Sequence, residues 1–217
     1  TYTLEAGDAQ QCHYMAYGHV TDFTLSGASG EAVKVASTWR GREKLTMTKT
    51  AGQAVPTVNE VIQFGNGKLY LDTPTTAIGT TQKTSTLVGF TLKVTTGLQA
   101  IWTADGALTF STITNVAPGA TLDVSFEYDA SATAEETAYR AQTTRYLRLK
   151  FDGTTLTTAG TTYSKKALVI DVAGVWDKFP PLEDKDANDI ITGTLRVLDN
   201  ETNFCTISVI NELTALP

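Results

Sequence analysis

The chain has 217 residues, of which 41% are hydrophobic and only 18% are charged, and its formal net charge is −6. A chain of this length can bury one sizeable core, and this composition excludes a disordered polyelectrolyte. Threonine supplies 39 of the residues. Because its β-branched side chain favours strands over helix interiors, the composition predicts a mainly β protein.

The charge is unevenly distributed along the chain. Residues 1–108 carry 8 acidic and 8 basic side chains, whereas residues 109–217 carry 15 acidic and 9 basic ones. Tight binding to DNA or to an anionic membrane requires clustered Lys and Arg, and the densest basic stretches, 40–44 and 145–150, are short. We therefore expect no tight binding to nucleic acid or to a membrane. No apolar run of about 18 residues or more is present, so we also expect no membrane-spanning helix.

The first clear strand signal is a hairpin near the start of the chain. Residues 20–26 mix polar and apolar side chains, a turn with two glycines follows at 27–30, and residues 32–39 alternate. Alternation predicts that one face of the hairpin is buried. We expect that face to carry Val33, Val35 and Trp39, together with Phe23 and Leu25, and the opposite face to carry Asp22, Thr24, Lys34 and Thr38.

Strand signals continue through the rest of the chain. The dipeptide Asn66-Gly67 predicts a turn before a strand, and Asp105-Gly106 predicts a hairpin. Asp152-Gly153 predicts a turn between two further strands. The predicted strands are 67–71, 87–94, 98–102, 107–113, 122–128, 147–151, 154–158, 167–175, 190–198 and 204–210.

One helix is predicted, at 132–143. Ser131 is its expected N-cap, and Glu135 and Glu136 are expected in the first turn, where the helix dipole favours acidic side chains. One helix among about ten strands is typical of a β-sandwich or barrel with a helix packed on one side.

Two stretches, 46–60 and 72–86, are rich in Thr, Gly, Ala and Gln and lack periodicity. Structureless segments of this length are uncommon inside compact domains and are often functional. We expect at least one of them to be a long extended interaction arm, with 46–60 as the first choice and 72–86 as the second. We favour one domain over residues 1–217, and a domain boundary at 115–119 is the alternative. Because the chain begins at Thr1 rather than Met, we expect residues to have preceded it.

The sequence offers few groups for chemistry. Cys12 and Cys205 are expected to be two reduced thiols, which favours folding in a reducing cytoplasm. His13 and His19 lack the ligand spacing of a zinc site, and the acidic run 183–189 lacks the Gly and the final Glu of a calcium loop. No phosphate-binding, dinucleotide-binding or hydrolase motif appears. We therefore expect no cofactor, no metal and no enzymatic activity.

Two segments together resemble the tail tube proteins of long-tailed bacteriophages. The first runs from Tyr17 to Gly27 and continues through Val33-Lys34-Val35 to Trp39-Arg40-Gly41-Arg42. Like those proteins, this segment has a strand that begins at a glycine, a turn of small residues and a second strand that ends in a Gly-Arg pair. The second segment joins 193–197 to 207–211 and shares a Thr-Gly-Thr segment before the closing strand.

The resemblance implies a structural virion protein with a sandwich- or barrel-type tail tube fold, one short α-helix and a long extended loop. It implies homo-hexameric rings whose subunits donate strands to an inner β-barrel. Stacked rings would form the hollow tail tube that conducts double-stranded DNA during genome ejection without binding it tightly. The implied partners are further copies of the chain, a tape measure protein and the tail-tip and terminator proteins. Synthesis would take place in the host cytoplasm.

On this basis, the candidate lumen-facing or intersubunit residues are Asp22, Thr24, Lys34 and Thr38. The candidate ring-stacking residues in the arm are Thr48, Thr50, Gln53, Val55 and Thr57. The alternative is a monomeric immunoglobulin-like or sugar-binding β-module on a virion or cell surface, which fits the Thr-rich strands equally well. That alternative would gain from a disulfide and from exposed aromatic side chains, whereas we expect Trp39, Trp102 and Trp176 to lie in the core.

Overall fold

The computed structural model describes residues 1–52, 60–104, 106–185, 187–198 and 205–212, and its contacts divide the chain into two compact units. The first unit comprises Thr1–Thr24, Val35–Asn59 and Lys93–Gly119, and the second comprises Leu25–Lys34, Glu60–Leu92 and Ala120–Pro217. One junction between the units, after Gly119, coincides with the alternative domain boundary at 115–119. The interpretation of residues 1–217 as one domain stays a prediction.

The described residues form fifteen strands, one α-helix and one turn of 3-10 helix. The strands are β1 (Tyr2–Gly7), β2 (Cys12–Ala28), β3 (Lys34–Arg40), β4 (Glu43–Met47), β5 (Gly67–Asp72), β6 (Gln82–Lys83), β7 (Leu87–Thr95), β8 (Leu98–Ile101), β9 (Thr112–Asn115), β10 (Gly119–Glu127), β11 (Arg145–Thr155), β12 (Lys165–Lys178), β13 (Glu183–Lys185), β14 (Asn188–Val197) and β15 (Cys205–Ile210). Helix α1 spans Ala130–Arg140, and the 3-10 turn spans Phe64–Asn66. The predicted mainly β fold with one short α-helix is confirmed. No helix in the described ranges is long and apolar enough to cross a membrane.

In the first unit, β2 is flanked by two antiparallel partners. Cys12 of β2 lies opposite Gly7 of β1 and opposite Met47 of β4. Strand β3 also pairs with β2, as the predicted hairpin requires, and β8 pairs with β9 in a separate two-stranded hairpin. The pairing of the two strands is therefore confirmed, although the second strand begins later than expected, at Thr112, and Asp105 of the predicted turn lies outside the described residues. Strand β1 has no clear alternation, and the sequence did not predict it.

In the second unit, a twisted antiparallel sheet runs in the order β10-β14-β12-β11-β5-β6. The long strand β12 pairs along one edge with β11 and along the other with β14 and then β15. The alternating side chains of the central strands form the core of this unit, because every second side chain points to the same face. The buried members include Leu122, Val124 and Phe126 of β10 and Leu147, Leu149 and Phe151 of β11.

The packing of two aromatic rings accounts for the glycine at position 193. Gly193 lies in β14 within the Thr-Gly-Thr segment, opposite Val124 of β10. A Cβ atom at this position would lie 2.7 Å from the ring of Phe179 and 2.9 Å from the ring of Trp176. The glycine is therefore needed because two aromatic rings pack directly on the strand.

Helix α1 begins two residues earlier than predicted. Its N-cap is Asp129 rather than Ser131, and the Asp129 carboxylate accepts hydrogen bonds from the backbone N–H groups of Ser131 and Ala132. Both residue types are good N-caps, so composition alone does not choose between them. Glu135 and Glu136 both lie beyond the first turn, which corrects their expected positions, and Glu135 is buried.

The structure differs from the sequence-based expectation at Asp152-Gly153 and at the acidic run 183–189. Asp152-Gly153 does not end a strand, since β11 continues to Thr155 through a shift in its register with β12. The expected separate strand at 154–158 is therefore wrong. The acidic run 183–189 is not one loop, because β13 and β14 form a hairpin in which Lys185 lies opposite Asn188.

Candidate assembly surfaces

Strand β3 has no buried face in the first unit. Six of its seven residues are exposed, and Val35 is 69% exposed. Only Trp39 is half-buried, with its ring 5.8 Å from that of Tyr2. Among the described residues, β3 pairs with β2 alone, so its other edge carries unpaired backbone groups. The expected burial of Val35 is wrong, because no described element packs on that side of the strand.

The four candidate lumen or intersubunit residues lie mainly at the surface. Asp22 is exposed and accepts a hydrogen bond from the Thr95 hydroxyl at 3.0 Å. Thr38 is also exposed, and its carbonyl accepts from the Thr21 hydroxyl at 3.3 Å. Thr24 is half-buried.

Lys34, the fourth candidate, belongs to the second unit, where it is exposed and forms an ion pair with Glu31 at 2.7 Å. The four residues are therefore not one preformed site. They stay candidates, and three of them are exposed.

The first choice for the arm, 46–60, begins as a strand. Thr46 and Met47 belong to β4 and pair with His13 and Cys12. Thr48 and Thr50 follow and are exposed, and the Thr50 N–H donates to the Glu5 carboxylate at 2.8 Å. Gln53, Val55 and Thr57 lie outside the described residues.

The second choice, 72–86, is a closed loop rather than an extended arm. The buried Asp72 carboxylate accepts hydrogen bonds from the N–H groups of Gly79 at 2.7 Å, Thr80 at 3.1 Å and Thr81 at 2.8 Å. Burial acts to raise the pKa of Asp72, but these hydrogen bonds outweigh it and hold the pKa below its ordinary value. The loop folds around one side chain, which the sequence did not reveal.

A cluster around Arg42 in the first unit was missed by the sequence reasoning. The Arg42 guanidinium donates to the carbonyls of Phe110 and Ser111, both at 2.8 Å, and lies 4.8 Å from the centre of the Tyr17 ring. It thereby fastens the residues just before β9 to the chain between β3 and β4. Gly41 has no room for a side chain, since a Cβ atom would meet Met15 at 1.8 Å. The Gly-Arg pair in the sequence was the available signal.

The β8–β9 hairpin exposes large apolar side chains. Leu108 is 99% exposed and Trp102 is 57% exposed, and Ile101 is also exposed. Arg40 lies 5.7 Å from the centre of the Trp102 ring. The expectation that all three tryptophans lie in the core is correct only for Trp176, which is fully buried.

The histidines and cysteines differ in their burial and partners. His19 is 4% exposed, and neither of its ring nitrogens has a hydrogen-bond partner among the described residues. Within the described ranges, no group of three or more His, Cys, Asp or Glu is placed to hold a metal ion. Cys12 and Cys205 are both free thiols, and burial together with nearby Asp171 raises the pKa of Cys205 to about 11.

In the second unit, an apolar pocket of about 120 Å³ opens at the surface beside β15. Its apolar lining consists of Val61, Ile62, Phe151, Ala167, Val209 and Ile210. Lys166 lies at the rim between two carboxylates, 3.2 Å from Glu60 and 3.3 Å from Glu212. Hydrogen bonds from Thr157 and then from Lys166 lower the pKa of Glu212 to about 2. The rim therefore carries one more negative than positive charge.

Comparison with known proteins adds no relative to these observations. No protein-family model matches the chain, and no curated protein is similar to it in sequence.

Proposed function

We propose that the chain is a structural virion protein that assembles into stacked homo-hexameric rings, which form the hollow tail tube of a long-tailed bacteriophage. The observation that carries the proposal is strand β3, which has an unpaired edge and six exposed residues out of seven. An exposed strand edge is an aggregation hazard that proteins usually cover or block. Pairing with a neighbouring subunit would cover the free edge of β3. The resemblance of the β2–β3 hairpin to tail tube proteins supports a second copy of the chain as that neighbour.

The charge of the chain suits a conduit for DNA. Each chain carries −6, so a ring of six chains carries −36. A negative surface repels phosphate groups and would let the duplex slide without sticking. In the proposed tube, Asp22, Thr24, Lys34 and Thr38 stay candidates for the lumen or for subunit contacts. The tape measure, tail-tip and terminator proteins would be its further partners.

One observation favours the alternative of a monomeric binding module. Trp102 presents an exposed aromatic ring, and such rings stack on sugars. The free thiols of Cys12 and Cys205 give no support to a disulfide-stabilised surface module. Exposure of β3 is the feature that a monomer leaves unexplained, and for this reason we favour the assembly.

The proposal is tested by placing a charge on β3. Val35→Lys is compared with Leu182→Lys, which changes an exposed apolar residue in a different segment. We expect the wild type and Leu182→Lys to form particles much larger than 23.3 kDa and Val35→Lys to shift towards the monomer, because a lysine at a strand edge blocks pairing. Size-exclusion chromatography with light scattering measures the masses. A wild type that is monomeric at every concentration contradicts the proposal.

A further inference from the structure

The loop of the β8–β9 hairpin presents an apolar tip that no described residue of the first unit covers. A two-stranded hairpin is marginally stable alone, yet Arg42 holds the end of this loop, next to β9, through the carbonyls of Phe110 and Ser111. The loop carries Leu108, the most exposed large apolar residue of the described chain, and Trp102 lies at the other side of the loop. A loop that is held at one end and exposes apolar side chains has the properties of a docking element.

The pocket beside β15 has the chemistry and size to receive such a tip. Cavities of about 150 Å³ with aliphatic and aromatic walls stay dry and accept a benzene-sized group, so a pocket of about 120 Å³ suits one branched aliphatic side chain. Val61 and Val209 at the pocket are themselves exposed, which extends the apolar surface around its opening. A leucine placed there would remove apolar surface from water on both molecules.

The charges around the two features are complementary. Arg40 lies over the ring of Trp102 and brings a positive charge to the hairpin side. Among the described residues, Glu60 and Lys166 line the pocket and Glu212 pairs with Lys166 beside it, so these three side chains together carry one negative charge in excess. Opposite charges at the edge of an apolar contact favour the correct partner and orientation.

We propose that Leu108, at the tip of the β8–β9 hairpin of one copy, inserts into the apolar pocket beside β15 of a second copy, with Trp102 covering Val209 at the opening. The two surfaces differ, so the contact is head-to-tail, and repetition of it produces a closed ring or an open filament. The inference extends the proposed function by naming one contact between subunits. It requires self-association but not a phage origin.

The experiment uses disulfide trapping between two full-length variants in a Cys205→Ser background, since Cys205 lies on the same strand as Val209. Leu108→Cys carrying an affinity tag is mixed with untagged Val209→Cys, and a mild oxidant is added. The matched control mixes Leu108→Cys with Leu182→Cys, an exposed position away from the pocket. All altered side chains are exposed or half-buried, and circular dichroism checks that each variant is folded.

We expect the Leu108→Cys and Val209→Cys pair to give about tenfold more mixed disulfide than the control pair, because docking raises the effective concentration of the two thiols. Equal yields from the two pairs in a sample that assembles would overturn this contact and leave the proposed ring intact. A wild type that never assembles, with equal yields from both pairs, would overturn both proposals.

A second measurement needs no cross-link. Leu108→Asp should raise the protein concentration at which assembly begins by about tenfold or more, because a buried leucine contact is replaced by a charge. Val116→Asp is the matched control, since Val116 is exposed in the same unit but lies beyond β9. The same onset concentration for the two variants would contradict the docking of Leu108.

Discussion

Glu135 is a buried carboxylate whose partners all come from other elements. One of its oxygens accepts from the Trp176 indole N–H at 2.8 Å and from the Arg145 guanidinium at 2.9 Å. Its side chain is 3% exposed, and Arg145 is 16% exposed. A buried charge of this kind is costly to leave unpaired. The interaction therefore joins α1 to β11 and β12 within the second unit.

We expect Glu135→Ala to lower the free energy of unfolding by about 3–5 kcal/mol, because it leaves the Arg145 charge and the Trp176 N–H without their partner. Glu135→Gln should lose less, since an amide oxygen still accepts from Trp176. Urea denaturation measures both. Glu136→Ala is the control, because the exposed pair between Glu136 and Arg140 is worth only about 0.5 kcal/mol. Equal losses for Glu135→Ala and Glu136→Ala would contradict this account.

The environment of Asp72 predicts that the stability contributed by the loop 72–86 decreases at acidic pH. Burial acts to raise the pKa of Asp72 in the folded state, but the side chain of Thr81 and the N–H groups of Thr81, Thr80 and Gly79 lower it below its ordinary value. The stabilisation is therefore present above the unfolded pKa of about 3.9 and is lost as the pH falls through the lower, folded value. We expect Asp72→Asn to destabilise the protein by about 1–3 kcal/mol at pH 7.

The pH series supplies the check on Asp72. The difference in unfolding free energy between wild type and Asp72→Asn should shrink as the pH falls below about 4, because the wild-type carboxyl becomes protonated. Asp177→Asn is the control, since Asp177 is exposed. A difference that is constant from pH 7 to pH 3 would show that charge is not what the loop requires.

At the scale of single residues, the sequence predicts what depends on alternation. Leu147, Leu149 and Phe151 alternate with charged residues within the predicted strand 147–151 and are buried, because every second side chain of a strand faces the same way. The burial of Glu135 does not follow from alternation. It depends on the indole N–H of Trp176 on β12, which donates a hydrogen bond to its carboxylate. A partner 41 residues away leaves no local pattern. The exposure of Val35 likewise depends on what packs against β3.

The β8–β9 hairpin is the element whose position depends most on one side chain. Arg42 makes two hydrogen bonds to the chain before β9 and lies between the rings of Tyr17 and Phe110. The hairpin pairs with no other strand in the part of the chain that the structure describes. Without Arg42, it would lose both hydrogen bonds to the chain between β3 and β4, and a two-stranded ladder is marginal by itself.

We expect Arg42→Ala to increase amide hydrogen exchange across β8 and β9, because the fastening of the hairpin is lost. Arg42→Lys should rescue only part of the protection, since an ammonium group does not reproduce the planar fork of the guanidinium. Hydrogen exchange with mass spectrometry measures the effect, with Lys44→Ala on β4 as the control. Unchanged exchange at 98–115 in Arg42→Ala would contradict the role given to this side chain.

At the scale of elements, turn chemistry was informative where it agreed with strand alternation. Asp105-Gly106 correctly marked a hairpin, whereas Asp152-Gly153 lies within β11, where the register with β12 shifts. An Asp-Gly dipeptide occurs both in turns and at irregularities within a strand. Which of the two forms depends on how the neighbouring strand pairs with it. Strand β13 has three exposed residues and no apolar alternation, so nothing local distinguished it from a loop.

At the scale of the whole molecule, the proposed assembly depends on surfaces that a single chain leaves uncovered. Strand β3 and the tip of the β8–β9 hairpin expose apolar side chains, and the second unit opens a small apolar pocket. Asp22, Lys34 and Thr38 are exposed and Thr24 is half-buried, and their place in the lumen or at a subunit contact stays a prediction. The sequence could not identify Leu108 or the pocket, because the pocket is lined by segments that are distant in sequence and meet only in the fold.

Negative-stain electron microscopy of the purified wild-type chain over a series of concentrations tests the central proposal most directly. We predict rings with six-fold symmetry and a central hole, and short tubes of stacked rings at high concentration. Uniform particles of 23.3 kDa at every concentration, confirmed by sedimentation on the same samples, would contradict a self-assembling tube protein and would favour the monomeric binding module.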